Sequence, residues 1–222
     1  MRVGRLKRSI GQGSKIGCVL DFQNRYMDTP DLGYFMDKSV YGHRCQNLGS
    51  LWNLDGRRFD GVNDSINCGH GASLNITGNE ITFEMWLNVQ VMVGGLAIRA
   101  PLEKATWIYA FYLNSGLGKI ESEVKSGGVE KVASGGALTA GKRYYVAGVY
   151  DGANVLIYLD TIKTVGNALT GNIDDSAAED LSIGDCAATG RPIDGLIDKV
   201  RILNYADYAA RILSRAINGR RN

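Results

Sequence analysis

Asp60, Asn63 and Asp64 place three oxygen-bearing side chains within the short stretch FDGVND. Calcium takes roughly six to eight oxygens from carboxylates, amides and backbone carbonyls, so this cluster is a candidate calcium site. The same residues also suit a turn in which Asx side chains bind nearby backbone N–H groups. A second acidic group, Asp174, Asp175, Glu179 and Asp180, reads as a solvated loop. Glu80, Thr82 and Glu84 share one face of the run EITFEMWLNVQV. Glycoside hydrolysis needs two carboxylates flanking the scissile bond. Two solvent-facing glutamates on a sheet are the plainer reading. No nucleophile triad is visible. His43 and His70 lie in Gly-containing loops, Cys68 lacks a third partner beyond His70, and there is no G-x-S-x-G. Gly-rich segments at 126–128 and 134–136 lack the Lys-Ser/Thr context of a phosphate loop.

Sugar recognition would need exposed aromatic rings, and the candidates are Trp107, Tyr109 and Tyr112, with Tyr144 and Tyr158 further along. Aromatics on alternating strand positions also serve as core or cross-strand pairs. The cysteines, Cys18, Cys45, Cys68 and Cys186, form no CxxC pair or His/Cys cluster, which points away from zinc. The N-terminus has no apolar stretch of the signal-peptide kind, so free thiols are the expectation.

Charge is distributed unevenly. Arg2, Arg5, Lys7, Arg8 and Lys15 open the chain without an acid; Arg211, Arg215, Arg220 and Arg221 close it without one. The remainder carries a net −7. A mildly acidic body points away from nucleic-acid binding, whereas basic ends suit an anionic surface or a neighbouring subunit. No apolar run approaches the roughly 20 residues of a membrane span.

The elements that must position these residues are mostly strands. The 222 residues include 29 Gly, 11 Tyr and only 3 Pro, a composition favouring strands and turns. GCVLDF reads as a first strand over 17–22, and residues 23–50 as a long irregular connection. Asp55-Gly56 and Asp60-Gly61 suggest tight turns around one short strand within 51–66. Strands follow over 81–91, 107–113, 119–125 and 129–133. The runs 142–150 and 155–160 flank Asp151-Gly152-Ala153-Asn154, the strongest hairpin signal. Leu181 and Ile183 alternate before Gly184. In IDGLIDKVRIL, strict alternation puts Asp194, Leu196, Asp198, Val200 and Ile202 on one side. Apolar recurrence predicts one helix over 207–217, capped by Asn204 and stopped by Gly219. Ten or more short strands at regular spacing argue for an antiparallel sandwich.

The order of FDGVNDSI, ITFEMWLN, YYVAGVYDGANVLIYLD and LSIGDCAATGRPIDGLIDKVRIL resembles the laminin G-like family of concanavalin A-like jelly rolls. The resemblance covers about residues 17–215. Lys199 departs from the family's Glu, and Thr161 from its Gly. It implies an all-β, two-sheet jelly roll with a short C-terminal helix: a basic arm over 1–16, the jelly roll over 17–217 and a basic tail over 218–222. It implies that the last strand lies beside the Asp60 turn, so that Asp198 either completes a structural Ca2+ site or pairs with Arg57 or Arg58. It also sharpens the enzyme question. Family glucanases carry an Asp between their glutamates, and here that place is Thr82.

The resulting expectation is a non-catalytic structural or assembly protein, such as a viral capsid decoration or tail component located in the virion. Arg2, Arg5, Lys7 and Arg8 would contact neighbouring subunits of a homo-oligomer or capsid. The alternative is a carbohydrate-binding, lectin-like module using Trp107, Tyr109 and Tyr112, in the cytoplasm or at a cell surface. A glycoside hydrolase comes third.

Overall fold

The computed structural model describes residues 17–22, 33–91, 98–104, 107–186 and 190–219. Two eight-stranded antiparallel sheets stack face to face. The first has, in spatial order, β14 (Ile162–Ala168), β13 (Asn154–Leu159), β12 (Arg143–Tyr150), β7 (Ile81–Val89), β16 (Asp194–Leu203), β5 (Gly56–Asp60) and β4 (Leu51–Asn53); β1 (Cys18–Asp21) also pairs with β16. The second runs β11 (Val129–Ala137), β10 (Lys119–Ser126), β9 (Tyr109–Asn114), β8 (Ile98–Lys104), β15 (Leu181–Ile183), β6 (Ser65–Asn67), β3 (Arg44–Leu48) and β2 (Tyr34–Met36). This is the expected all-β sandwich.

The core lies between the sheets, and period-two alternation fills it. Phe83 of β7 packs on Phe111 of β9, with ring centroids 4.6 Å apart, and on Tyr109 at 5.9 Å. Burying such a ring stabilises the fold by about 1.5–3 kcal/mol. Gly148 on β12 makes room for it, since a Cβ there would lie 2.6 Å from the Phe83 ring. Gly184, at φ +86°, ends β15 where a side chain would collide with Phe59.

Strict alternation fails in β16. A β-bulge lies between Asp198 and Arg201, with Lys199 at φ 51°. The extra residue reverses which positions face inward. Gly195 and Ile197 are buried before it and Val200 and Ile202 after it, while Asp198 and Arg201 share the outer face of the first sheet.

Several boundaries differ from expectation. The stretch 23–50 contains β2 and β3, and 51–66 holds parts of three strands rather than one. The strands β8 and β14 lie outside the expected ones, because Pro101 in IRAPLEK and Gly166 in IKTVGNA mask their periodicity. The helix α1 (Ala209–Asn218) starts later than expected, and Asn204 does not cap it. Asp207 accepts the Tyr208 N–H at 2.9 Å and ion-pairs with Arg211 (3.6 Å) and Arg215 (2.7 Å) in the first two turns. Ile212 and Ala216 bury the helix against Trp86, Tyr145, Leu156 and Tyr158, outside the first sheet.

Candidate binding face

The outer face of the second sheet carries Trp107 and Tyr112 together with Tyr34, Arg44 and Gln46. The pairings Val132–Glu123–Ala110–Glu103–Ser182–Asn67–Gln46–Tyr34 form one continuous outward row across all eight strands. A strand position on this row holds its side chain at fixed height, because the neighbouring ladder fixes the backbone.

At the β2 end the row opens into a groove of about 610 Å³ lined by Gly33, Tyr34, Arg44, Gln46, Asn67 and Gly69. Tyr34 and Gln46 are directly paired, and Arg44 lies two residues along the same face. The Arg44 guanidinium stacks 4.0 Å over the Tyr34 ring. Such a stack is worth about 0.5–1 kcal/mol at an exposed site and holds both groups in place. Asn67 donates to Asp180 at 2.7 Å and accepts the Gly69 N–H at 2.6 Å. His70 lies 2.7 Å from the other Asp180 oxygen. Those contacts hold the Asp180 carboxyl below its usual range: the Asn67 hydrogen bond leads, and His70 adds to it. The groove therefore presents an aromatic face, a guanidinium and the Gln46 amide on a rigid floor.

Nearer the middle the face is closed. Trp107 (φ 71°) packs 5.3 Å from Tyr112, and Arg191 stacks over both, 4.4 Å from Trp107 and 5.7 Å from Tyr112. Glu103 and Glu123 lie buried in the same region, 0 % and 5 % exposed. Burial pushes Glu123 up to about 7, with Glu130 and Glu103 adding to the shift. Burial likewise raises Glu103. Its oxygens make no well-formed hydrogen bond, although the Cys186 thiol and the Tyr112 hydroxyl are near enough to pull it partly back. Glu123 can hold a proton near neutrality, but no sugar reaches groups this covered.

The predicted sugar residues therefore separate. Trp107 and Tyr112 share the outer face with Arg191 over them. Tyr109 points into the core, is fully buried, and donates to the Leu74 carbonyl at 3.0 Å, so it is not part of this face. Tyr144 and Tyr158 lie buried on the other sheet. Tyr34, Arg44 and Gln46 were missed, although YFM and RCQ already alternate as half-exposed strands do.

The predicted metal residues separate too. Asp60, Asn63 and Asp64 meet at the β5–β6 turn, but Asp198 lies at the opposite end of β5. The residue facing Asp60 is Asp194. A register of four residues makes the difference, about 13 Å along a strand. Asp198 accepts Arg143 at 2.9 Å, and Arg57 donates to Ser50. Arg58 pairs with Asp194 at 2.5 Å. Asp60 accepts the Val62 N–H at 2.8 Å, an Asx turn, and Asp64 accepts the Asp60 N–H at 2.9 Å. Asn63 is exposed. Among the described residues no group of three or more His, Cys, Asp or Glu is placed to hold a metal ion. Arg2, Arg5, Lys7 and Arg8 lie outside the described residues.

Glu84 is not solvent-facing, and Glu80 is half-buried. Glu84 is buried and accepts Arg201, Arg215 (2.7 Å) and the Tyr145 hydroxyl. Glu80 accepts the Ala206 N–H at 3.2 Å, and Thr82 bridges the Tyr205 carbonyl and the Asp207 N–H. That strand face anchors the segment leading into α1, and Arg211 and Arg215 belong to the anchor rather than to a free basic tail.

A Ser–His–Asp relay invisible in the sequence also assembles. The ring Nδ1 of His43 lies 2.9 Å from Asp37, and its Nε2 lies 2.7 Å from the Ser73 hydroxyl. Asp37 also accepts the backbone N–H groups of Asp21, Ser39 and His43. Burial pushes this carboxyl up, but the His43 and Ser39 hydrogen bonds outweigh it and hold it below the usual range. The ionised Asp37 accepts only, so Nδ1 carries a hydrogen toward it, and the Ser73 hydroxyl lies against the other ring nitrogen. The relay clasps the β2–β3 hairpin to the turn at Ala72–Leu74.

The family follows from the sequence together with this sandwich. A model of the concanavalin A-like lectin/glucanases superfamily, of the laminin G type, matches residues 60–212. The chain belongs to this superfamily. Three solved structures illustrate the fold at low identity. The binding domain of Paraclostridial Mosquitocidal Protein 1 superposes with a TM-score of 0.71 at 13% identity, covering 92% of this chain and 53% of that one. The binding domain of botulinum neurotoxin DC, in complex with rat synaptotagmin II, gives 0.70 at 12% identity, with 92% and 52% coverage. The same toxin's binding domain in complex with SialylT gives the same TM-score, identity and coverage. The chain thus spans about half the length of these domains, and the likeness is one of fold. A search of curated proteins by sequence finds no match. No helix among the described residues is long and apolar enough to cross a membrane.

Proposed function

We propose that this chain is a non-catalytic binding module that recognises carbohydrate in the groove at the β2 end of the second sheet. The carrying observation is the combination of Tyr34, Arg44, Gln46 and Asn67 on one rigid face. A sugar ring offers apolar C–H groups to an aromatic face and hydroxyls to amides and guanidinium, and few precisely placed polar groups suffice for orientation. The toxin binding domain solved with SialylT supports the reading at the level of fold. Hydrolysis is no part of it, because Glu80 and Glu84 hold the C-terminal segment. The test is a glycan array probed with the full chain, then with Tyr34→Ala and Gln46→Ala. Binding weakened tenfold or more by either change supports the groove. Absence of glycan binding, or binding untouched by both changes, overturns it.

One observation favours a second reading, in which the chain also contacts other protein subunits. The edge strand β4 and the turn after it expose Leu51, Trp52 and Leu54, 46–74% accessible. Exposed apolar edges are pairing surfaces. A capsid or tail component of a virion would use such an edge together with basic arms. Sedimentation of the wild type and of Trp52→Lys tests this: a monomer in both cases removes the reading.

A further inference from the structure

Cys45 lies in β3, and Cys68 follows directly on β6, on the sandwich side of the groove. Gln46 pairs with Asn67 in antiparallel register, so the next position puts Cys45 directly opposite Cys68. Directly opposed residues in such a ladder have Cα atoms about 4.5–5.5 Å apart, inside the roughly 4.4–6.8 Å that a disulfide spans. Both residues are buried, and their sulfurs approach to 2.7 Å. A bonded pair sits at about 2.05 Å, so the sulfurs are already close to bonding distance. The other two cysteines lie elsewhere: Cys18 directs its thiol to the Leu20 carbonyl at 3.3 Å, and Cys186 lies beyond β15 among Ala100, Ala110 and Tyr112.

We propose that Cys45 and Cys68 form a cross-strand disulfide that locks the floor of the groove. Cys45 lies between Arg44 and Gln46, and Cys68 follows Asn67, so the bond ties together the two strands that present these side chains. The chemistry is a thiol–disulfide exchange with a low-molecular-weight disulfide such as oxidised glutathione. One thiolate attacks it, releasing one small thiol and leaving a mixed disulfide. The second thiolate displaces the other small thiol. The protein loses two protons and two electrons, and the small disulfide gains them.

Folding controls the reaction in both directions. The Cys45 contact and complete burial hold the Cys68 thiol well above its ordinary range, so little thiolate exists once the strands have packed. The bond therefore closes before β3 and β6 are covered, and afterwards reductant reaches it slowly. The crosslink bridges 23 positions of sequence. A loop of that size restricts the unfolded chain enough to raise Tm by about 5–10 °C in a domain of this length.

The full chain is refolded with a reduced/oxidised glutathione mixture, then unfolded in guanidinium with N-ethylmaleimide, and its intact mass is read. Two alkylated cysteines, with a peptide map joining the segments around residues 45 and 68, support the bond. Four alkylated cysteines, or a different pair joined, overturn it. Cys45→Ala/Cys68→Ala should melt like the reduced wild type, and reductant should leave its Tm unchanged. A Tm drop on adding reductant to this variant overturns the assignment of the stabilising bond. The consequence for ligand binding rests on the groove proposed above, and glycan binding with and without reductant is a separate readout. A chain that is crosslinked by mass yet binds no glycan sinks the groove reading alone.

Discussion

Glu84→Ala is the most informative single change in this structure. The Glu84 side chain is only 4 % exposed and accepts Arg201, Arg215 and the Tyr145 hydroxyl. Removing one member of a buried ion-pair network costs about 3–5 kcal/mol, because the remaining charges lose their compensation. Two features lower that figure. Arg201 and Arg215 keep 29 % and 25 % of their side chains in solvent, and Arg215 retains Asp207 at 2.7 Å. The expected loss is therefore about 2–4 kcal/mol, or roughly 5–15 °C in Tm for a chain of this length. Urea denaturation followed by tryptophan fluorescence reads the loss directly, since Trp86 packs 5.4 Å from Tyr145 beside the network. Glu84→Ala, Arg215→Ala and the double variant form a cycle, and contact between the two residues requires a coupling of about 1 kcal/mol or more. A single-variant loss below about 0.5 kcal/mol, or a coupling indistinguishable from zero, would falsify the claim that this strand face anchors the helix.

Three further outcomes follow. Glu123 has its folded pKa raised from 4.5 to about 7, so the folded state binds the extra proton. Stability from this group is fully present below about pH 4.5 and is lost as pH rises through 7; Glu123→Gln should remove that slope and gain on the order of 1–2 kcal/mol at pH 8. Urea midpoints from pH 4.5 to 8 check it, and a wild-type slope retained in the variant contradicts it. His43→Ala should destabilise by about 1–3 kcal/mol, because Asp37 and Ser73 lose their shared partner. Ser73 is read as a clasp, so a fluorophosphonate should leave it unmodified. Covalent labelling of Ser73, detected by mass, would make it a nucleophile instead.

The legibility of the site varied with how far its parts lie apart in sequence. The FDGVND turn was readable as a turn because Asx side chains bind backbone only two to four residues away. Asp198 was misplaced because the β5–β16 register depends on long-range pairing, which brings Asp194 to Asp60. The bulge at Lys199 was hidden as well, since a left-handed residue inside VRI-type alternation carries no composition signal. Tyr109 and Tyr112 looked alike as aromatics on one strand, three residues apart. Odd spacing puts them on opposite faces, and only the packing of the sheets decides which face is core.

By itself the sequence determined the architecture: short alternating strands, Asp-Gly turns, one terminal helix and the ordered blocks of a concanavalin A-like domain. These are local properties, set by side-chain period and turn chemistry within a few residues. The tertiary structure decided everything that depends on which strands become neighbours. It joined Tyr34 and Arg44 to Asn67 across three strands, opposed Cys45 to Cys68, and brought Ser73 to His43 over 30 positions of chain. It also turned Glu84 from a surface acid into the anchor of a helix 131 residues away. Such contacts are fixed by β-pairing register and by the shared burial of both sheets, and neither is written in any one stretch of the chain.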